Sequence, residues 1–185
     1  MKTVGTIHSR EEIKSALKES FEKVKAELKA LPKQAYHYSP IDKWSSAENL
    51  SHLIQSVYPV ASGLNKPKII FRAYGISKTG SRTYEELEEV YREAIKQPID
   101  LVDTDYAPQT EALEDVEKML SNWQMIGEKF ENRVDKWSEK DLDKYRVPHP
   151  LLGKLTIREI LFFTNFHNLI HLDIIQQRLS EYGKV

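Results

Sequence analysis

The sequence predicts an all-α fold: an antiparallel four-helix bundle with an extra short helix inserted between the second and third long helices. Three observations carry this. Four long segments repeat apolar residues every three or four positions, Ser or Thr followed three residues later by Glu opens several of them, and no stretch competes with the two-residue period of a strand. At 185 residues the chain has the length of about one domain. The whole of 1–185 is therefore expected to form a single four-helix-bundle domain, with an insertion at about 65–109.

The first helix starts at the capping box of Ser9 and Glu12, carries Ile13, Leu17, Phe21, Val24 and Leu28 on one stripe, and ends before Pro32. Ser45 and Glu48 open the second in the same way, its stripe being Leu50, Ile54, Val57, Tyr58 and Ala61, and Gly63 marks its end. From Asn65 to Arg82 the pattern breaks into a Gly- and Ser-containing stretch with Lys66, Lys68, Arg72, Lys78 and Arg82 and no acid. Thr83 and Glu86 then cap a short helix running to about Lys96. Pro98 and Pro108 bracket a further irregular stretch, after which the pattern predicts a third long helix opening at Thr110 and carrying Leu113, Val116, Leu120, Trp123, Ile126, Phe130, Val134 and Trp137. Val147 to Gly153 contains two prolines and cannot be helical throughout. Thr156 with Glu159 begins a fourth helix that runs to roughly Ser180.

Composition excludes several classes of function. The 27 basic and 28 acidic residues nearly cancel, so no overall field favours nucleic acid or an anionic membrane. The absence of cysteine removes disulfides, Cys-ligated zinc, iron–sulfur clusters and a thiolate nucleophile from the chain itself. The longest apolar run, Ile160 to Phe163, is far short of the ~20 residues that cross a bilayer, and the N-terminus lacks an apolar signal core. A cytoplasmic location is the expectation.

The fourth helix is apolar around nearly its whole circumference, which marks it as an interior element, and His167 and His171 interrupt it. Four residues apart, they lie about 40° apart around the axis and one turn apart along it, so two ring nitrogens can converge on one point. A buried ring without a partner costs on the order of 1–3 kcal/mol, a cost that metal ligation removes. Hydrogen bonds to neighbouring carbonyls or carboxylates are the alternative. A third ligand must come from elsewhere, and His52 is the best candidate because it lies well inside a helix. On a helical wheel it falls opposite the Leu50/Ile54/Val57 stripe, facing solvent unless the polar side of the second helix lines a wet cleft against the fourth. A metal on the floor of such a cleft keeps open coordination positions. His8, His37 and His149 fall near termini or loops and read as ordinary surface or turn histidines.

Two segments now resemble a known family. Trp44-Ser45-x-x-Glu48-x-x-x-His52 on the second helix, and His149-Pro150-Leu151-Leu152-Gly153-Lys154-Leu155-Thr156-Ile157-Arg158-Glu159 leading into His167-x-x-x-His171, are similar to the DinB/YfiT-like metal-dependent bundle proteins in motif order and spacing. The resemblance covers most of the chain. It implies a four-helix bundle, often dimeric, in which one histidine of the second helix and two of the last hold a divalent metal. By position these are His52, His167 and His171. The resemblance also places the 65–109 insertion in a subgroup where substrate specificity is expected to diverge. Characterised relatives include bacillithiol- or mycothiol-dependent thiol-S-transferases and a mycothiol-dependent isomerase, and many members have no established activity.

The expectation is a metal-dependent enzyme of thiol-S-transferase type, in which a metal-activated low-molecular-weight thiol attacks an electrophile on a small-molecule substrate. A metal-dependent hydrolase, or a non-catalytic metal- or ligand-binding bundle of a stress-related kind, are the alternatives. The His-Glu-x-x-His arrangement of zinc proteases is missing, because Asn168 follows His167. Zinc or nickel is the expected ion, with iron or manganese also compatible with nitrogen ligands. Glu48 is the candidate catalytic base or ring-orienting carboxylate, one turn before His52, although the capping box is a sufficient role for it. Thr164 and Asn168 either bond a ligand or satisfy neighbouring helices. The basic run of 66–82 either attracts an anionic substrate or is a solvated loop, and packing suffices for Trp44, Trp123 and Trp137.

Overall fold

In the computed structural model, which describes residues 8–96, 106–108 and 115–184, the side chains of Ser9, Ser45, Thr83 and Thr156 each accept a hydrogen bond from the backbone N–H three residues on. The carboxylates of Glu12, Glu48, Glu86 and Glu159 accept one from the cap backbone in return. Each cap contributes about 1 kcal/mol and sets where its helix begins. The helices so opened are α1 (Arg10–Ala30), α2 (Ser46–Gly63), α4 (Tyr84–Ala94) and α7 (Ile157–Tyr182). Between them lie the short α3 (Lys68–Phe71), the long α5 (Val116–Val134) and the short α6 (Glu139–Lys144). Among the described residues, α5 begins at Val116 with Asp115 as its N-cap. The predicted start at Thr110, with Leu113 on its stripe, lies outside the described residues, as does Pro98.

Helices α1, α2, α5 and α7 form the bundle, with α1 and α2 each packed between α5 and α7, so the consecutive pair sits across the diagonal. Helix α4 rests on α7. Most of each stripe read from the sequence is core: Ile13, Leu17, Leu50, Val57, Trp123, Ile126 and Phe130 are all buried, whereas Tyr58, placed on the stripe of the second helix, is 50% exposed. Phe21 packs its ring 4.3 Å from Trp123 and 5.5 Å from Phe130, and the Trp123 indole N–H donates to the Phe21 carbonyl at 3.0 Å. Helix α5 stops at Val134, so Trp137 lies beyond it; the buried indole instead donates to the Leu64 carbonyl at 3.1 Å.

The sequence offers no strand, whereas the structure has an antiparallel hairpin of β1 (Arg146–His149) and β2 (Gly153–Thr156), with His149 opposite Gly153. Four residues per strand are too few for alternation to show. Pro148, usually read as a strand breaker, is tolerated because a two-stranded ribbon has only edges. Gly153 takes a φ of +71°, the left-handed turn conformation in which a side chain would be strained. No helix among the described residues is long and apolar enough to cross a membrane.

Where the hairpin enters α7, Arg158 is held by Asp143 Oδ1 and Glu139 Oε2, each at 2.6 Å, and also donates to the His8 carbonyl. Arg82 donates to Glu159 at 2.7 Å and Lys68 to Asp141 at 2.6 Å. Two members of the basic run are thus neutralised in ion pairs and do not belong to a free cationic patch.

Candidate metal centre

The capping box of Ser45 and Glu48 starts α2 so that its second turn carries Asn49 and His52 toward α7, where His167 and His171 stand one turn apart. The structure brings the three histidines together. One ring nitrogen from each lies within 4.8 Å of the other two. His52, His167 and His171 are 6%, 3% and 7% exposed. The wheel position of His52 suggested solvent, yet Trp44 covers its ring at 5.0 Å and the tips of the α7 histidines face it. A helix wheel records direction but not what lies opposite.

Second partners settle which nitrogens point inward. His52 Nδ1 lies 2.6 Å from the Tyr106 carbonyl, which can only accept, so Nδ1 carries the proton and Nε2 presents a lone pair. His171 Nδ1 lies 2.7 Å from Asn49 Oδ1. The Asn49 amide nitrogen donates to the Ser45 carbonyl at 2.8 Å, which fixes the oxygen as the end facing His171 and leaves His171 Nε2 bare. His167 is oriented by packing, its ring stacked on Phe163 at 4.9 Å and 22°, and its buried Nδ1 has no hydrogen-bond partner among the described residues.

The Nε2 atoms of His52 and His167 are 3.2 Å apart. Two nitrogens that share a tetrahedral cation at bond lengths of about 2.0–2.1 Å stand about 3.3 Å apart, so the residues fit such an ion. Burial drives the pKa of all three rings down, that of His171 to about 3, with neighbouring rings adding to the effect at His167 and His171 and the Tyr106 carbonyl partly opposing it at His52. The rings are therefore neutral near pH 7, the form that ligates.

Above the three rings opens a cavity of about 710 Å³ walled by Trp44, Val60, Phe71, Tyr91, Val147 and Ile160, among others. Its lining is mostly apolar, with Ser56, Ser62, the histidines and, at the exposed edge, Lys66. Glu48 is half-buried, and its Oε2 accepts from the Ser45 N–H at 2.7 Å. Asn168 donates to Ser20 Oγ of α1 at 3.1 Å, the bond to a neighbouring helix weighed for it, whereas Thr164 donates to the Ile160 carbonyl of its own helix at 2.8 Å. His8 and His37 are exposed.

Sequence reasoning missed four contributors. Asn49 is 1% exposed; the sequence showed only an Asn three residues before a candidate ligand, not that it would be buried. The Tyr106 carbonyl carried no signal, since any residue has one. Trp44 covers His52 and stacks on His171 at 6.5 Å and 19°, so it shapes the site and does more than pack. His149, expected to be an ordinary turn residue, lines the cavity, and burial lowers its pKa to about 4.

The family model of the DinB superfamily matches residues 16–175. No curated protein matches the chain. Among solved structures, YfiT from Bacillus subtilis, described as "a probable metal-dependent hydrolase with an unusual four-helix bundle topology", aligns with a TM-score of 0.60 over 94% of this chain and 87% of that one. The two share 14% identity, so the likeness concerns the fold.

Proposed function

Since the chain belongs to the DinB superfamily, we propose that it is a metal-dependent enzyme in which His52, His167 and His171 hold one divalent cation and a low-molecular-weight thiol attacks a small, largely apolar electrophile. The observation that carries this is the convergence of three buried, neutral imidazoles on the floor of one apolar cavity. A divalent cation held by these residues would supply Lewis acidity that keeps a thiol ionised near neutral pH. The Tyr106 carbonyl and Asn49 hold two of the rings in the tautomer that presents Nε2, and Trp44 and Phe163 keep bulk water off the ring faces. Glu48 enters as a positioning residue, closing the first turn of the helix from which His52 projects.

The cavity favours a thiol over water as nucleophile. Activated water is helped by a general base, and the charged side chain among the described lining residues is Lys66, not a carboxylate. A thiol needs only to lose its proton to solvent before sulfur bonds to the electrophilic carbon and the leaving group departs. A metal-dependent hydrolase is the second reading, favoured by the description of YfiT.

Elemental analysis and turnover on protein purified without a histidine tag test the proposal. Near-stoichiometric zinc or nickel, with little in His52→Ala and His171→Ala, is expected, together with conversion of 1-chloro-2,4-dinitrobenzene only when bacillithiol is present. Equal metal in all three proteins would overturn the site. Thiol-independent cleavage of a nitrophenyl ester would move the reading to the hydrolase.

A further inference from the structure

His149 ends β1 and is among the residues that line the cavity. Its Nδ1 accepts hydrogen bonds from two backbone N–H groups, those of Leu151 at 3.2 Å and Leu152 at 3.1 Å. A nitrogen that accepts from N–H donors carries no proton, so in the neutral ring the proton resides on Nε2. The turn thereby selects the tautomer. Among the described residues Nε2 has no hydrogen-bond partner, although the ring lines the cavity. It packs edge-on against Phe163 at 4.3 Å, and Phe163 stacks on His167 at 4.9 Å, so one aromatic ring links the His149 and His167 rings.

A fixed donor in an apolar wall recognises an acceptor. The surrounding wall cannot replace the hydration of an ionised group, which makes a charged partner costly there, whereas a carbonyl oxygen loses little and regains one hydrogen bond. Burial keeps this ring uncharged through the neutral range, so it donates as an imidazole and not as a cation.

We propose that His149 Nε2–H orients the substrate of this cavity, and that the cavity takes an uncharged small molecule with an aromatic or aliphatic body and one carbonyl-type acceptor. This rests on reading the cavity as the substrate site and deepens that reading by naming the substrate class.

Acetophenone and ethylbenzene, which have bodies of similar size and differ in the carbonyl, serve as probes in ligand titrations followed by NMR, run on both chelator-treated and zinc-loaded protein. His149→Asn keeps an oxygen near the Nδ1 position to hold the turn and removes the distal donor. The ketone-to-hydrocarbon affinity ratio is expected to fall about fivefold in that variant, the worth of one ordinary hydrogen bond, with ethylbenzene affinity within about twofold of the parent. His149→Gln, whose amide reaches toward the distal position, is expected to retain more of the ratio. Metal content, measured on the same samples, is expected to be unchanged in both variants.

An equal ratio in parent and His149→Asn, or failure of the parent to bind either probe, would overturn the inference. Long-range 1H–15N spectra of histidine-labelled parent protein test the tautomer without any substitution: a protonated Nδ1 on His149 would also overturn it, even if a variant failed to fold. If the parent carries no metal, the proposed enzyme fails on that ground, while the probe ratio in chelator-treated protein still decides the role of His149.

Discussion

The Nε2 atoms of His52 and His167 stand 3.2 Å apart although 115 positions separate the residues in the chain. His52 Nε2 presents a lone pair, so at that distance either a proton on His167 Nε2 or a shared cation lies between the two nitrogens. The groups behind each ring determine how well the rings stay aimed.

Asn49 is the first of these groups. Replacing it by Ala removes the acceptor of His171 Nδ1–H and a side-chain hydrogen bond to the Ser45 carbonyl. Metal affinity in Asn49→Ala is expected to drop about 10- to 100-fold, as partners behind metal ligands commonly do when lost. Competition with a chromophoric chelator measures it. Affinity equal to the parent would mean that His171 is aimed by packing alone.

Acid should destabilise the metal-free protein. His149 and His171 have ordinary values near 6.5 when unfolded and are pushed to about 4 and about 3 by burial when folded, with His52 adding to the effect at His171. Between those values the unfolded chain binds more protons, so stability is full above about pH 7 and falls as pH drops from 6.5 toward 3. The slope approaches about 1.4 kcal/mol per pH unit for each such ring. Urea denaturation at a series of pH values checks this, and a flat profile between pH 7 and 5 would contradict it.

The ion-pair knot at the start of α7 is expected to be structural. Arg158 is 8% exposed and bound by Asp143, Glu139 and the His8 carbonyl. Arg158→Ala removes the guanidinium from Asp143 and Glu139, which keep donors in Ser81 and the Arg10 N–H and are partly exposed, and should cost about 1–2 kcal/mol in a denaturant titration, while metal content per folded molecule stays unchanged.

Gly127→Ala tests packing against propensity. Alanine favours a helix over glycine by about 1 kcal/mol, but its Cβ would stand 3.1 Å from Phe21 Cγ. The new methyl would meet the Phe21 Cβ and Cγ, not a flexible tip, and Phe21 is packed against Trp123 and Phe130, so a net loss of about 1 kcal/mol is expected from thermal melting. A raised melting temperature would show that the Phe21 ring yields.

The elements most legible in the sequence were those with a local cause. The boxes Ser9/Glu12, Ser45/Glu48, Thr83/Glu86 and Thr156/Glu159 hydrogen-bond within four residues, so four helix starts could be read directly. The hairpin at Arg146–Thr156 escaped notice because its strands are short and its register depends on cross-strand bonds and a single glycine turn. The pair His167 and His171 was visible for the same local reason as the caps, since one helix carries both.

By itself, the order of residues determined where α1, α2, α4 and α7 begin, most of the apolar stripe of each long helix, and that two histidines share a face one turn apart, because all of these follow from bonds and angles within a few residues; the short α3 and α6 were not read from it. Tertiary structure decided the rest. It turned His52 from a wheel position facing solvent into a buried ring, gave it the Tyr106 carbonyl, and set Asn49 behind His171. It also placed His149 on the wall of the same cavity. Such contacts join residues tens of positions apart, and the pattern along any one helix holds no information about the surface that will cover it.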